Sequence, residues 1–291
     1  MLDPHKLRLL RDLAHRGTIA AVAEALRYTP SAVSQQLAAL EREAGKPLLE
    51  RTGRRVTLTA AGAVLAARAE DVLAALEAAQ AAVDATTERL TGALRIGAFP
   101  TAVRRLLPAA LVTLGREHPG LELRVEELDP AEVPDALRSG RLDLALVQEY
   151  DFVPARPEPG LDTRPLLTEV LYLAAAGTPL SIEDCAARPW VLGSPGTLCH
   201  AMSVRACEAA GFHPVVRHHV DDFDAVLALV AADLGVAIVP ELATGGCPDG
   251  VALTALSARR RTHLAIRSGT GDHPVVAAGV AAVIAATTPR L

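Results

Sequence analysis

Cysteine, methionine and aromatic residues are scarce in this chain of 291 residues. There are four cysteines, two methionines and one tryptophan, and aromatic residues make up only 3% of the chain. Four widely scattered cysteines do not suggest a disulfide framework and favour a reducing compartment. Half of the residues are apolar, yet no apolar run reaches membrane length, so no membrane contact is expected. The N-terminus has no charged and then apolar leader, which makes the cytoplasm the expected location.

Motifs of the common enzyme classes are also missing. The sequence contains no Gly-x-Ser-x-Gly elbow, no phosphate-binding loop and no His-Glu-x-x-His motif. We therefore expect no catalysis and no cofactor. Several histidines lie near two cysteines in the last third of the chain, but their spacing does not match a compact zinc site, and no metal is predicted. A solute-binding protein for transport would need an export signal, and none is seen in the sequence, so this function is not expected.

Charge is distributed unevenly along the chain. The first 58 residues carry ten Lys and Arg against six Asp and Glu, whereas the remaining 233 carry 19 against 28. The N-terminal part is thus positive by four charges, and the rest is negative by nine. A basic segment on an otherwise acidic protein is where nucleic acid is expected to bind.

The basic segment has the layout of a helix-turn-helix. Thr29 is a helix N-cap residue and Pro30 suits the first helical position, which predicts a helix over about 30–44. Val33, Leu37 and other apolar residues share one face of it, and short polar side chains lie on the opposite face. A slim polar face of this kind fits a DNA major groove.

A basic hairpin follows this helix. Residues 48–58 form two short predicted strands around a glycine turn, with three arginines within five residues, which suits contact with phosphates or the minor groove. Helix pairs also occur in ordinary bundles, and a basic turn is often only a solvated loop. Together the two features predict a winged helix-turn-helix. The candidate DNA-contacting residues are Thr18, Thr29, Pro30, Ser31, Ser34, Gln35, Gln36, Arg51, Arg54 and Arg55.

This part of the chain resembles the LysR-type transcriptional regulators. The resemblance lies in AEAL at 23–26, PSAVSQQL at 30–37, LE at 40–41 and LLERTGRRVTLTAAG at 48–62. It implies a homodimer or homotetramer, an inverted-repeat operator in double-stranded DNA, and a small-molecule effector of unknown identity. RNA polymerase is a further candidate partner. Many members have Gln-Pro where this chain has Pro30-Ser31, and often Arg in place of Gln35, so no base preference is transferred.

An alanine-rich helical stretch follows at 60–90. Its apolar positions alternate at four and three residues, which predicts a coiled-coil seam of about four heptads. Pairing with a second copy would bring two DNA-binding domains to a symmetric site. The alternative is packing on the chain's own effector domain. The predicted seam consists of Leu65, Ala69, Val72, Leu76, Ala79, Val83, Thr86 and Leu90.

Beyond residue 91 short apolar runs alternate with helical segments, which predicts mostly parallel sheets. Strands are expected at 94–98, 121–125, 142–147, 171–175, 190–192, 215–220, 236–239 and 263–266. Helices are expected at 101–117, 133–139, 200–210, 222–232 and 275–286. The resemblance implies two α/β subdomains like those of a periplasmic solute-binding protein, joined by crossover strands at 161–167 and 264–267.

The predicted fold class is therefore α+β multidomain. A winged helix-turn-helix domain (1–59) and a linker or dimerisation helix (60–90) precede a two-subdomain effector-binding domain (91–291). Subdomain I would comprise about 91–162 and 267–291, and subdomain II about 163–266.

In such a fold a ligand binds beyond the carboxyl ends of the strands, between the subdomains. The turns at Thr101 and Thr197 offer hydroxyls and helix N–H groups, which favours a carboxylate or phosphate ligand. Asp221 and Asp222 favour an amine or hydroxyl, unless one of them caps the next helix. An amino acid or similar zwitterion would satisfy both ends. The candidate effector-binding residues are Pro100, Thr101, Ala102, Gln148, Ser194, Pro195, Gly196, Thr197, Asp221, Asp222 and Phe223.

Cys199 and Cys207 suggest an alternative function. Peroxide-sensing members of the family that this chain resembles carry two cysteines at a similar spacing, which form a regulatory disulfide. Residues eight apart on one helix are separated by ~12 Å, so that helix would have to unwind before a bridge could form. Buried, inert cysteines are the other interpretation.

Overall fold

The structure is a computed structural model and describes residues 1–52, 55–86, 89–153 and 157–287. Three helices begin the chain, and the predicted bounds of the third are confirmed. The hydroxyls of Thr18 and Thr29 accept backbone N–H groups at the starts of the second and third helices. Gly17 ends the first helix in the left-handed conformation (φ 75°). These helices are α1 (Pro4–Arg16), α2 (Ile19–Leu26) and α3 (Pro30–Ala44).

The three helices enclose one apolar core. The faces predicted from the sequence are buried, with Leu10 and Leu40 at 0% exposure and Val33 at 1%. Each such side chain contributes about 2 kcal/mol to the stability of this small domain.

The wing consists of β1 (Leu49–Thr52) and β2 (Arg55–Leu58), which pair antiparallel. The Glu41 carboxylate of α3 accepts the N–H groups of Leu48 and Leu49 at 2.9 and 3.0 Å, which fixes the wing to α3. Arg54 lies outside the described residues, and so do the side chains of Arg51 and Arg55.

The linker helix α4 (Ala60–Asp84) begins at Thr59, whose hydroxyl accepts the Gly62 N–H at 3.0 Å. A Cβ on Gly62 would overlap the carbonyl oxygen of Leu48, so α4 and the wing are in direct backbone contact. Prediction of this helix to residue 90 is wrong. The Thr86 hydroxyl donates to the Val83 carbonyl (2.7 Å) just beyond the last turn of α4, where it satisfies a terminal carbonyl.

The seam of α4 was interpreted either as a surface for a second copy or as a surface that packs within the chain, and each interpretation fits part of the helix. Ala69 is fully buried against the DNA-binding domain, and Leu90 lies beyond the helix and packs on the core of the effector domain. Val72, Leu76 and Val83 are 41%, 46% and 62% exposed and form an apolar stripe. One face of α4 therefore packs within the chain, and the stripe is open to solvent.

The effector domain contains eight strands among its described residues. Its first part consists of β3 (Gly92–Ala98), α5 (Pro100–Arg105), α6 (Leu107–Glu117), β4 (Leu121–Glu127), α7 (Val133–Arg138) and β5 (Leu144–Tyr150). The predicted single helix at 101–117 is thus two helices, separated at Leu106.

The second part includes two long strands that the sequence prediction covered only in part, three helices that it predicted and a short helix, α10, that it did not. It consists of β6 (Leu161–Ala176), β7 (Pro189–Leu192), α8 (Leu198–Ala209), β8 (Val215–His219), α9 (Phe223–Ala231), β9 (Ala237–Pro240), α10 (Glu241–Thr244), β10 (Val251–Arg267) and α11 (Pro274–Thr287). A short 3-10 turn precedes β7 at Glu183–Cys185.

One six-stranded sheet joins the two halves, in the order β4-β3-β5-β10-β6-β9. β3 is parallel to β4 and β5, and a separate parallel pair joins β7 and β8. The prediction of mostly parallel sheets is wrong for the centre, because β5, β10, β6 and β9 pair antiparallel. β6 and β10 contain the predicted crossovers at 161–167 and 264–267 and run in opposite directions between the halves.

Candidate functional site

The outward face of α3 presents the polar side chains that were predicted from its sequence. Ser31, Gln35 and Gln36 are exposed, and Ser34 is half-buried. Pro30 and the two capping residues, Thr18 and Thr29, are exposed as well. The Thr29 hydroxyl lies 3.0 Å from the Ser31 hydroxyl, so the N-terminus of α3 carries two adjacent hydroxyls. This exposed edge has the size and chemistry of a groove-reading surface.

A cavity of about 350 Å³ opens between the two halves of the effector domain. Its walls come from the turn before α5, the loop after β4, the end of β5 and the loops before α8 and α9. Six of the predicted effector-binding residues line it, namely Pro100, Thr101, Gln148, Thr197, Asp221 and Phe223.

The other predicted residues lie elsewhere. Ala102 is fully buried in the core, and Ser194 and Pro195 do not line the cavity. Gly196 lines a second, larger cavity of about 620 Å³, which shares Asp129, Pro130, Gln148 and Leu198 with the first. Asp222 caps α9 by accepting the Ala225 N–H at 2.9 Å, which confirms the capping alternative for one of the two aspartates.

Arg260 of β10 is the centre of the polar network behind the smaller cavity, although the sequence prediction did not include it. Its side chain is 0% exposed, and its guanidinium lies 4.9 Å from the centroid of the Phe99 ring. Its Nε and Nη2 atoms both lie 2.9 Å from Glu169 Oε2. Glu169 is 3% exposed. Arg260 and Glu169 thus form a fully buried ion pair.

Two further donors of Arg260 reach residues that line the cavity. Nη1 donates to Gln148 Oε1 and Nη2 to Thr101 Oγ1, each at 3.1 Å. Burial by itself lowers the pKa of Arg260, but the neighbouring Tyr150 and Glu169 outweigh it and raise that pKa. Strands β5, β6 and β10 and helix α5 therefore meet at one charged guanidinium.

Cys199 lines the cavity beside this network. Its Sγ lies 3.1 Å from the Tyr150 hydroxyl, and Tyr150 is 1% exposed. Burial raises the pKa of the Cys199 thiol and raises the pKa of Tyr150 well above its ordinary value. Both groups are therefore protonated at neutral pH, and the thiol is a weak nucleophile.

The loop before α8 is tied down by its own hydrogen bonds. Asp221 Oδ1 accepts the Ser194 N–H at 2.7 Å, and Asp221 Oδ2 accepts the Ser194 hydroxyl at 2.6 Å. Thr197 donates to the Ser194 carbonyl and caps α8 by accepting the His200 N–H. His200 Nδ1 and His219 Nδ1 both lie within 3.1 Å of the Gly193 carbonyl oxygen.

No group of three or more potential metal ligands occurs within the part of the chain that the structure describes. Among those residues there is also no helix that is both long and apolar enough to span a membrane.

Helix α7 connects the cavities to the DNA-binding domain. Val133 and Pro134, at its start, line the larger cavity. Asp135, one residue further along, forms an ion pair of 3.0 Å with Arg16 at the end of α1. Near the end of α7, the Leu137 carbonyl accepts from Arg267 Nη1, and Arg267 Nε lies 3.4 Å from Glu77 of α4. One short helix thus contacts the larger cavity, α1 and, through Arg267, the linker helix.

Comparisons with known proteins cover nearly the whole chain. The family model described as LysR substrate binding domain matches residues 87–287, and the model of the bacterial regulatory helix-turn-helix protein, lysR family, matches residues 4–63.

Individual relatives agree with these matches. A probable hydrogen peroxide-inducible genes activator of Mycobacterium avium is 32% identical over 245 residues, which is 81% of this chain and 77% of the relative. The transcriptional dual regulator GltC of Bacillus subtilis is 29% identical over 248 residues, covering 82% and 81%. A solved OxyR mutant from Corynebacterium glutamicum is 26% identical with a TM-score of 0.58, covering 99% of this chain and 92% of that one. The chain belongs to the LysR family of DNA-binding transcriptional regulators, with an N-terminal helix-turn-helix and a C-terminal effector-binding domain.

Proposed function

We propose that α3 reads an operator in the major groove and that the wing contacts the DNA backbone or minor groove. The observation that carries this proposal is the division of α3 into a buried apolar face and an exposed polar face. Ser31, Ser34, Gln35 and Gln36 would contact bases and nearby phosphates. Thr18, Thr29 and Pro30 would lie against the DNA backbone, and Arg51, Arg54 and Arg55 would contact phosphates or the minor groove.

A second copy of the chain would cover the apolar stripe of α4. Val72, Leu76 and Val83 are spaced four and seven residues apart, as in a coiled-coil seam, and all three are exposed. A two-fold dimer built on this stripe places two α3 helices for an inverted-repeat operator. A tetramer would pair two such dimers. A location in the cytoplasm, where the DNA target and RNA polymerase as a further partner would be met, is part of this proposal, and catalytic activity is not.

The cavity beside Arg260 would hold the small-molecule effector. It is enclosed by residues from both halves of the domain, so a ligand in it favours one relative position of the halves over another. Helix α7 would transmit that difference, because Glu132, directly before it, lines this cavity and Asp135 within it pairs with Arg16 of α1. An effector acts only through different affinities for the two arrangements.

Selection of genomic DNA fragments by the purified protein tests the DNA contacts. We expect an enriched near-palindromic sequence. Gln35→Ala should change the preference among sites, and Arg54→Ala should weaken binding to all DNA and reduce the slope of affinity against salt by about one. Arg116→Ala, on α6 of the effector domain, is the matched control and should change neither. An unchanged salt slope for Arg54→Ala would show that the wing does not contact DNA.

A thiol switch at Cys199 and Cys207 is the second candidate function, since two of the relatives described above are named for peroxide response or as OxyR. Both cysteines lie on the unbroken helix α8, and burial raises the pKa of Cys207 to about 12. We expect peroxide to leave operator affinity unchanged, with both thiols recovered by alkylation and mass spectrometry. A peroxide-dependent change in affinity that Cys199→Ser abolishes would instead favour the switch.

A further inference from the structure

The cavity of about 350 Å³ is lined by more negative than positive side chains. Arg260 is the one cation among its lining residues within the described chain. Four carboxylates share the lining with it, namely Glu127, Asp129, Glu132 and Asp221. The sign of the net charge that a ligand meets depends on which of these groups are already neutralised.

The charge of Arg260 is neutralised inside the protein. Two of its N–H groups point to Glu169 at 2.9 Å, and others are used by Gln148 and Thr101 at 3.1 Å. The positive charge of the guanidinium also lowers the pKa of the Tyr150 hydroxyl, against the larger effect of burial, which raises it. A guanidinium has five N–H donors, and these contacts use four of them. A ligand carboxylate would have to displace Glu169 from a fully buried ion pair before it could pair with Nε and Nη2.

The opposite wall is also occupied by a carboxylate of the protein. The Ser194 N–H and hydroxyl both bind Asp221, and the Thr197 hydroxyl is used within its own loop. These are the groups that would otherwise bind an anionic ligand. The Ser194 groups and the Thr197 hydroxyl of this turn are therefore already occupied, and the Asp221 carboxylate stands where an anionic ligand would bind them.

The remaining carboxylates have little compensation. Within the described part of the chain, Glu127 and Asp129 have no cationic partner. Glu132 lies 3.6 Å from Arg141. Asp129 Oδ1 accepts the Ala131 N–H at 2.8 Å, which leaves its second oxygen available to a ligand. A cleft with this charge pattern concentrates cations and repels anions.

We propose, on the basis of the effector site proposed above, that the effector is an organic cation. It carries a protonated amine or a similar group near Asp129 and Glu127, and it has no net negative charge. Its body is compact and largely apolar, because the lining includes Phe99, Leu128, Leu198 and Phe223 and the volume is about 350 Å³. Gln148 and Thr101 are held by Arg260 at the inner end, so their orientation does not depend on the ligand.

Binding of charge-matched compounds to the full-length protein tests this proposal. The panel contains aromatic and aliphatic skeletons of suitable size, each as ammonium, alcohol and carboxylate, such as benzylammonium, benzyl alcohol and benzoate. Calorimetric affinities are measured at constant ionic strength. We expect the ammonium form of a skeleton that binds to be at least about tenfold tighter than its carboxylate form.

Two variants connect this preference to the cavity. Asp129→Asn should reduce the ratio of ammonium to carboxylate affinity about fivefold, because one unit charge near the ligand is lost. Glu122→Gln is the matched control. It lies on the same strand as Glu127 but outside the cavity, is paired with Arg124 at the surface, and should leave the ratio unchanged.

Operator binding is measured in parallel, so that the two proposals can fail separately. Tighter binding of carboxylates, or a ratio that Asp129→Asn leaves unchanged, overturns the cationic effector while the effector site itself stands. Binding of no compound in any charge state, with operator binding intact, overturns the assignment of this cavity as the effector site and the charge inference with it.

Discussion

Replacing Glu169 by glutamine tests the polar network behind the proposed effector cavity. The variant keeps the shape of the side chain but removes the negative charge 2.9 Å from a guanidinium that is 0% exposed. Breaking a buried ion pair by removing one partner costs about 3–5 kcal/mol, because the other charge stays buried without compensation. Glutamine retains one acceptor, so we expect a loss of about 3 kcal/mol in the free energy of unfolding.

Urea unfolding followed by fluorescence measures this loss. Trp190 is the only tryptophan of the sequence. It is fully buried in one apolar core with Leu171 and Leu173, which follow Glu169 on β6. Glu122→Gln removes a carboxylate from an exposed arginine pair and should cost less than about 1 kcal/mol. If Glu169→Gln and Glu122→Gln cost the same, the argument that the Arg260 pair organises this region is wrong.

Glu169→Gln should also change which ligand charge the cavity prefers. Without Glu169 the Arg260 charge faces the cavity uncompensated, so carboxylate compounds should bind more tightly to Glu169→Gln than to the unchanged protein. The calorimetric panel described above measures it. If carboxylate affinity were unchanged in a folded variant, the ion pair with Glu169 would not be what prevents Arg260 from binding anions.

Three further predictions concern other parts of the molecule. Gly62→Ala should lower the stability of the DNA-binding domain by about 1–3 kcal/mol, because its Cβ would overlap the Leu48 carbonyl. Gly115→Ala should not, because its Cβ would meet only Leu123 Cδ1 at 3.9 Å, and thermal unfolding compares the two variants. The raised pKa of Cys207 keeps its thiol protonated in the folded state, so stability should fall as the pH rises from about 9 towards 12, by about 1.4 kcal/mol at pH 10, and Cys207→Ala should remove this dependence in urea titrations. Asp135→Asn should leave effector affinity intact but weaken its effect on operator affinity in fluorescence anisotropy; undiminished coupling would exclude a role for the Arg16 ion pair.

The DNA-binding domain could be predicted almost completely from the sequence. Its signals are local, since Thr29 caps α3 and Pro30 occupies the first helical position, and the buried faces follow the helical period. The end of α4 was missed because Leu90 continues the heptad spacing while belonging to another core. A seven-residue spacing records only where apolar residues lie, and it does not record which partner buries them.

The centre of the effector domain shows the limit of such patterns. β6 and β10 are 16 and 17 residues long. The sequence prediction interrupted β6 around Glu169 and covered only the last residues of β10, after its arginines. Arg260 and Glu169 are directly opposite each other in the register of these two strands. In the sequence, each of these charged residues interrupts an apolar run. Both side chains can be buried only because they pair with each other. Three consecutive arginines at 259–261 beside a predicted strand were the signal available in the sequence.

The position of α7 explains how a change in the cavity could reach the DNA without a long chain of contacts. Glu132, directly before α7, lines the proposed effector cavity, and Val133 borders the larger one. Asp135 binds Arg16 at the end of α1, and Arg267 joins the Leu137 carbonyl to Glu77 of α4. A six-residue helix is too short to bend, so a shift of its first turn moves its last turn as well. Such a shift changes the position of α1 relative to the effector domain in the same subunit. In a dimer paired along the α4 stripe, the two α3 helices would then change their spacing, and operators with different half-site separations would discriminate between the effector-bound and effector-free states.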